Sequence, residues 1–304
     1  MNKKYNIGWI GTGVMGASMA KNLAKNGHKV SAFNRTYSKC LPLKEFNITP
    51  CKTIKDCVEN ADIVFTIVGY PKDVEEVYLK PEGIFQYAKS GAYLIDMTTS
   101  SPLLAQKIFN QGKDKFHILD APVSGGDIGA QNATLSIMVG GKKEDFDTMY
   151  NVFENLGKNI LYLGEAGSGQ NCKAANQVAI AGTVSGVAES IIYSIKSGLE
   201  PKNVLDAISK GAAGSWQMQN NGYKMIKNDY SPGFFNKHFI KDMKIAQEVM
   251  KEKGQDLPIL NKVLEMYEIL DKKGLSEEGT QSIIKYYLQW NYLLNKNQKL
   301  NLKV

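Results

Sequence analysis

Residues 5–26 read YNIGWIGTGVMGASMAKNLAKN, and this stretch organises the first part of the chain. The apolar run over residues 5–10 is typical of a buried strand, and Met15, Met19 and Leu23 then recur at helical spacing. A strand and a helix joined by Gly11-x-Gly13-x-x-Gly16 form the dinucleotide-binding pattern in its proper setting. The stretch therefore predicts a nucleotide-binding turn at the start of a parallel sheet.

Each glycine of this turn has a separate predicted role. Gly11 permits the tight turn, Gly13 lets the backbone approach a pyrophosphate, and Gly16 allows close packing of helix on strand. The phosphates would lie at a helix N-terminus, where free N–H groups and the helix dipole favour negative charge. The alternative is a glycine-rich turn without a ligand. The predicted cofactor contacts of this segment are Ile10, Gly11, Thr12, Gly13, Val14, Met15 and Gly16.

The end of the second strand decides which dinucleotide fits. Proteins that bind NAD usually carry an acid about 20 residues after the glycines, where it binds the ribose 2′-hydroxyl. Here the strand over residues 29–33 is followed by Asn34, Arg35 and Thr36. An arginine and a hydroxyl suit a 2′-phosphate, so the sequence favours NADP and leaves NAD possible. The alternative is an arginine at the surface end of a strand.

The rest of the chain divides into two halves by pattern. Apolar strand-like runs at residues 63–68, 92–95, 116–119, 136–139 and 160–162 alternate with helical patterns, which predicts a mainly parallel sheet covered on both faces. From residue 168 a helix without breakers runs to residue 196, a length of about 44 Å. Further helical patterns cover residues 201–210, 215–220, 238–253, 259–272 and 281–295.

The predicted fold class is thus α/β. An N-terminal Rossmann-type doubly wound sheet occupies residues 1–164, and an all-helical domain for substrate binding and oligomerisation occupies residues 165–304. Trp216, in the second of these, is expected either in the substrate pocket or in the core, with the core favoured.

Composition argues against several other classes of protein. The net charge is +7, but the lysines are spread along the chain, so a nucleic-acid partner is not expected. The four cysteines, Cys40, Cys51, Cys57 and Cys172, form no C-x-x-C pair, and the three histidines lie far apart, so no metal site is expected. No run of about 18 apolar residues and no signal peptide are apparent. The expected location is the cytoplasm, with no membrane partner.

Three motifs, in order, make the chain resemble the β-hydroxyacid dehydrogenase family. They are GWIGTGVMGASMAKNL at residues 8–23, DAPVSGG at 120–126 and GSGQNCKAANQ at 167–177, with a weaker match at Lys241-Asp242-Met243. Thr12 departs from the leucine usual in the family. The family includes 3-hydroxyisobutyrate dehydrogenases and the tartronate, glyoxylate and succinic semialdehyde reductases.

The resemblance implies roles for residues in both halves of the chain. Lys173 would be the catalytic lysine, and Val68, Thr98 and Lys241 would bind the cofactor. The implied substrate-binding residues are Ser124, Gly125, Gly126, Asn176, Phe234 and Asp242.

The residues themselves support part of this assignment. Reduction of an aldehyde places negative charge on its oxygen, which a cation such as Lys173 stabilises and protonates. Asn176 shares the face of Lys173 at i+3. Glycines 125 and 126 follow a strand of an α/β sheet, where exposed N–H groups bind a carboxylate. Taken alone, each feature has an ordinary alternative: Lys173 would be a surface lysine, and the two glycines would form a plain turn.

The resemblance implies hydride transfer between NADP(H) and a small hydroxy acid or semialdehyde acid. Two alternatives remain open: a catalytically inactive dinucleotide-binding interaction module and an imine reductase-like enzyme of the same build, both of which usually lack a lysine at the position of Lys173. The substrate itself stays undetermined, because one methylene changes binding by only about 1–3 kcal/mol. Residues 174–188 carry no charge and include Gly182-x-x-x-Gly186. This pattern, together with the dimers and tetramers common in the family that the chain resembles, favours a homodimer or homotetramer.

Overall fold

A computed structural model describes residues 3–288 of the chain. The chain divides into two compact units, Met1–Lys173 and Ala174–Val304. The division falls inside one long helix, whereas the boundary predicted at residues 164 and 165 lies just before that helix and stays a prediction.

The described residues of the first unit build a nine-stranded sheet around the predicted strands. Its order is β3-β2-β1-β4-β5-β6-β8-β7, with β9 paired to β8. All pairs are parallel except those that β8 makes with β6 and β7. The strands are β1 (Asn6–Ile10), β2 (Lys29–Phe33), β3 (Ile48–Cys51), β4 (Ile63–Thr66), β5 (Tyr93–Asp96), β6 (His117–Asp120), β7 (Val123–Ser124), β8 (Leu135–Gly141) and β9 (Gly157–Gly164).

Helices cover both faces of this sheet, as predicted. Alternate residues of β4 point to opposite cores: Ile63 and Phe65 join one apolar cluster and Val64 joins the other, as the two-residue period of a strand requires. Single 3₁₀ turns lie at Tyr37–Lys39 and Leu41–Phe46. The helices are α1 (Val14–Lys25), α2 (Ile54–Val58), α3 (Pro71–Leu79), α4 (Ile84–Tyr87), α5 (Pro102–Gly112), α6 (Gly126–Asn132) and α7 (Lys143–Phe153).

The described part of the second unit is helical, with a single isolated bridge between Phe235 and Gly279. Helix α8 (Ser168–Lys196) has the predicted bounds. It is followed by α9 (Pro201–Ile208), a π-helical turn (Gln217–Gly222), α10 (Tyr223–Ile226), α11 (Asn236–Glu252), α12 (Pro258–Lys272) and a 3₁₀ turn (Thr280–Ile283). Helical residues resume at 284–288; residues 289–295 of the last predicted helix lie outside the described residues.

One side of α8 forms part of the core of the second unit. Ala181, Val184 and Val187 are buried there with Phe239 and Tyr267. By length and composition alone α8 could cross a membrane, but core helices pass the same test and this helix packs into a core. The core placement favoured for Trp216 was wrong, since this residue is 65% exposed.

Candidate active site

The glycine turn has the geometry that the sequence predicts. A Cβ on Gly11 would lie 2.0 Å from the carbonyl oxygen of Ile67, and one on Gly16 would lie 2.1 Å from that of Gly11. Both positions therefore require glycine, and Gly11 also has a positive φ of 101°. At Gly13 a Cβ would meet no atom within 4 Å. That open space is where a pyrophosphate is predicted to approach the backbone.

The N-terminus of α1 is suited to phosphate. The helix starts at Val14 without a capping side chain and without an acid in its first turn. Its first N–H groups thus face no side-chain anion of their own, and the dipole favours a bound one. The turn and this helix start fit a dinucleotide.

Asn34 fixes the glycine turn to the end of β2. The Thr12 N–H donates to Asn34 Oδ1 at 3.2 Å, and Asn34 Nδ2 donates to the Thr36 carbonyl at 3.1 Å. Sequence reasoning treated this position only as a missing acid and a cofactor contact. The hydrogen bond by which Asn34 holds the turn joins it to Thr12, 22 residues away, and a local sequence pattern does not reveal such a contact.

Arg35 is an exposed cation at this end of the sheet. Its side chain is 84% exposed, and Nη1 lies 3.2 Å from Oδ1 of Asp73 in α3. Sequence reasoning missed Asp73 because it lies 38 residues from Arg35.

The structure brings together two more predicted cofactor residues. The Val68 N–H donates to the hydroxyl of Thr98 at 3.0 Å. The Thr98 N–H in turn donates to Asp96 Oδ1 at 3.1 Å, and the Thr66 hydroxyl donates to the same oxygen at 2.7 Å. Asp96 is buried, and desolvation raises its pKa to about 6 in spite of these hydrogen bonds.

The start of α8 is held by two residues of the recognised motifs to which no role was assigned. The Asp120 carboxylate accepts the N–H groups of Gly167 at 2.8 Å and Gln170 at 2.9 Å. Burial raises the pKa of Asp120, although these backbone donors favour its charged form. The Gln170 amide accepts the Ser100 N–H and donates to the Thr98 carbonyl. Lys173 follows Gln170 by less than one turn of the same helix and is buried.

The predicted substrate loop is a turn between β7 and α6. Gly125 and Gly126 have φ values of 130° and 64°, a backbone that favours glycine at both positions. Ser124 pairs with Ser136 of β8, and its side chain is half-buried. The Asp127 carboxylate accepts the Ile128 N–H in the first turn of α6. The turn therefore offers backbone and hydroxyl donors at the end of a strand.

In the second unit, two predicted substrate residues and one predicted cofactor residue belong to one polar network. Gln177 Nε2 donates to Asp242 Oδ2 at 2.6 Å, and Asn176 Nδ2 donates to Gln177 Oε1 at 2.8 Å. Lys241 Nζ lies 3.1 Å from Asp242 Oδ1. Gln177, which the sequence prediction left without a role, thus orients the Asn176 amide.

Phe234 packs against aromatic rings. Its ring contacts the rings of Phe239 and His238 at centroid distances of 6.0 and 6.4 Å. Among residues 3–288, no group of three or more histidine, cysteine and carboxylate side chains is placed to hold a metal ion.

Comparison with protein families covers nearly the whole chain. Residues 6–164 match the model of the NAD binding domain of 6-phosphogluconate dehydrogenase. Residues 167–287 match the model described as NAD-binding of NADP-dependent 3-hydroxyisobutyrate dehydrogenase.

Individual proteins agree with these models. An uncharacterised oxidoreductase of Bacillus subtilis is 50% identical, over 94% of this chain and 100% of its own length. A probable 3-hydroxyisobutyrate dehydrogenase-like mitochondrial protein of Arabidopsis thaliana is 43% identical, over 91% of this chain and 84% of its own. Among solved structures, 3-hydroxyisobutyrate dehydrogenase of Mycobacterium tuberculosis with L-serine matches at a TM-score of 0.87 and 26% identity, over 93% of this chain and 99% of that one.

Proposed function

This chain belongs to the NAD(P)-dependent β-hydroxyacid dehydrogenase family, and we propose that it transfers a hydride between NADP(H) and a small hydroxy acid or semialdehyde acid. In one direction the alcohol loses a hydride and a proton to become the aldehyde, and the reverse reaction restores both. The observation that carries the proposal is the placement of Lys173 on α8, less than one turn after Gln170, which hydrogen bonds to Asp120 and to the Thr98 carbonyl hold in place.

Lys173 is the proposed catalytic residue. The dinucleotide, when bound, supplies or accepts the hydride. During reduction the carbonyl oxygen gains negative charge, which the Lys173 ammonium stabilises before it gives a proton to that oxygen. In the oxidation direction the neutral amine accepts the hydroxyl proton. The rigid start of α8 supports this role, because proton transfer requires a positioned donor.

We assign the acid group of the substrate to the turn at Ser124, Gly125 and Gly126. Positive φ values at both glycines support an arrangement in which successive N–H groups bind a carboxylate. Asn176, Phe234 and Asp242 are the proposed substrate residues of the second unit. The network through Gln177 supports a fixed Asn176 amide.

NADP(H) is the proposed cofactor. Arg35 and Thr36 would receive the 2′-phosphate, and no acid stands at Asn34 to bind a 2′-hydroxyl. The open space at Gly13 supports contact of the backbone with the pyrophosphate. The remaining proposed cofactor contacts are Ile10, Gly11, Thr12, Val14, Met15, Gly16, Val68, Thr98 and Lys241.

The proposed function also includes a cellular location and an oligomeric state. We propose a cytoplasmic homo-oligomer joined through the helical half, with domains at residues 1–164 and 165–304. A Cβ on Gly182 or Gly186 of α8 would meet no atom within 4 Å, which supports an open face able to receive a second helix.

The test is oxidation of NADPH and NADH with glyoxylate and with succinic, tartronate and methylmalonate semialdehydes. We expect turnover with at least one of them and a higher kcat/KM with NADPH. A cyclic imine completes the test: no turnover with any aldehyde or with the imine would favour the inactive interaction module, and turnover with the imine alone would favour an imine reductase.

A further inference from the structure

Asp73 is anchored at the start of α3 beside the proposed phosphate-binding arginine. Its Oδ2 accepts the Tyr70 N–H at 3.0 Å, which fixes the carboxylate on the first turn of the helix. Its Oδ1 lies 3.2 Å from Arg35 Nη1. The Asp73 side chain is only 23% exposed, against 84% for Arg35, so the carboxylate is the more buried and anchored member of the pair and the guanidinium is the more exposed one.

We propose that Asp73 is a specificity-determining residue, which weakens the preference of this protein for NADP(H) over NAD(H). This inference rests on the proposed function, in which Arg35 binds the 2′-phosphate. It gives α3, an element outside every recognised motif, a part in the choice of cofactor.

The charges around Arg35 single out Asp73. The charge of Arg35 also acts on Glu76, another acid of α3. The pKa of Glu76 is lowered mainly by its hydrogen bond to Lys80 and least by Arg35. Glu76 thus has its own cation at 3.0 Å. Asp73 is the acid of α3 that pairs with Arg35 itself.

The physical effect of Asp73 differs between the two cofactors. A 2′-phosphate bound by Arg35 would carry close to two negative charges within a few ångströms of the guanidinium, and therefore also near the Asp73 carboxylate. Like charges at that range repel, more strongly where the carboxylate is partly desolvated. A ribose 2′-hydroxyl carries no charge and avoids this repulsion.

A second effect of the pair opposes the first but is weaker. Asp73 holds Arg35 through one N–H and leaves the remaining donors of the guanidinium for a phosphate. That hold could pre-orient the side chain. Because an ion pair with so exposed an arginine orients it only weakly, we expect repulsion of the phosphate to dominate.

The experiment removes the charge and keeps the helix cap. Asp73→Asn retains an oxygen that accepts the Tyr70 N–H, and Asp73→Gln, an amide suited to the third helical position of a capping box, is a second variant. We expect either change to lower the KM for NADPH about three- to ten-fold and to leave the KM for NADH unchanged. Glu75→Gln is the matched control, since Glu75 lies on the same helix and pairs with Lys107 instead; it should alter neither KM.

A double variant separates this inference from the proposed function. In an Arg35→Ala background, Asp73→Asn should still lower the KM for NADPH, because repulsion between the carboxylate and the 2′-phosphate does not require the guanidinium. Loss of that effect in this background would contradict repulsion as the cause. If Arg35→Ala raises the KM for NADPH while Asp73→Asn leaves it equal or raises it, the role of Asp73 is overturned and the phosphate contact stands. If Arg35→Ala has no effect on the KM for NADPH, the phosphate contact fails and the inference fails with it.

Discussion

The Gln170 side chain joins the start of α8 to the loop that follows β5, because its Nε2 donates to the Thr98 carbonyl oxygen at 2.7 Å. Its Oε1 accepts the Ser100 N–H at 2.8 Å, so both ends of the amide bind the same loop. The backbone N–H of Gln170 is held in turn by Asp120. The residue that precedes Lys173 by three positions is therefore held at two points by a loop assigned to the cofactor and at a third by Asp120.

We expect Gln170→Ala to lower kcat at least ten-fold through displacement of the Lys173 helix. The change leaves two buried backbone groups without their partner, each at a cost of about 1–3 kcal/mol in unfolding free energy. Steady-state kinetics and thermal unfolding measure both effects. Asn171→Ala, at the exposed next position, is the control. A variant with a lower Tm but an unchanged kcat would show that Gln170 is structural only.

Arg35→Ala should raise the KM for NADPH about ten-fold or more and leave that for NADH nearly unchanged. The reason is the loss of charge-assisted hydrogen bonds to the 2′-phosphate, each about 1.5–3 kcal/mol. Kinetics with both cofactors, beside Lys39→Ala as a nearby control, provide the check. A wild-type protein that prefers NADH ten-fold would contradict the assignment of NADP(H).

The buried Asp96 predicts a specific dependence of stability on pH. Its pKa is raised to about 6 in the folded protein from an ordinary value of 3.8. Between these two values the unfolded chain loses the proton while the folded protein keeps it. The contribution of Asp96 to the free energy of unfolding therefore falls as pH rises from about 4 to 6, by at most about 3 kcal/mol.

Denaturant unfolding of Asp96→Asn and wild type at steps from about pH 4 to 7.5 isolates this contribution. The stability of the variant relative to wild type should rise across the window and then stay level. The exposed Asp114→Asn is the control. Parallel curves for Asp96→Asn and wild type would show that Asp96 ionises alike in both states.

Much of the fold could be predicted because its signals are local. The glycine turn, the apolar strands and the unbroken helix at Ser168–Lys196 each show in a short window of sequence. Strands β3 and β7 escaped prediction for physical reasons. Strand β3 lies at the sheet edge and contains Pro50, which breaks the strand pattern. Strand β7 has two residues, too few for a period to show.

The motifs of the site could be predicted from the sequence, but the hydrogen bonds that hold them in place could not. The third motif contains Gln170 and the second contains Asp120, yet their partners lie 70 and 47 residues away. Asp73 belongs to no motif, and its pairing with Arg35 depends on how the first turn of α3 lies beside the residues that follow β2. The core placement favoured for Trp216 was wrong because tertiary packing, which a local pattern does not show, leaves this residue exposed.

The open face of α8 predicts how the proposed oligomer can be broken. In a lone chain Gly186→Leu should be tolerated, since a Cβ there meets no atom within 4 Å and helix propensity would improve by up to about 1 kcal/mol. If a second subunit packs on this face, the larger side chain should dissociate it. Light scattering should then show multiples of the 33.6 kDa chain for wild type and a smaller mass for the variant. A wild-type mass of one chain would contradict the proposal.

Turnover of Lys173→Ala tests the central claim most directly. Lys196→Ala, at the other end of the same helix, is the matched control. With the best aldehyde substrate and NADPH, we expect Lys173→Ala to fold normally by circular dichroism and to lose about 10²- to 10⁴-fold in kcat, the effect of removing a positioned acid. The control should keep wild-type turnover. A folded Lys173→Ala protein with near wild-type kcat would contradict the account.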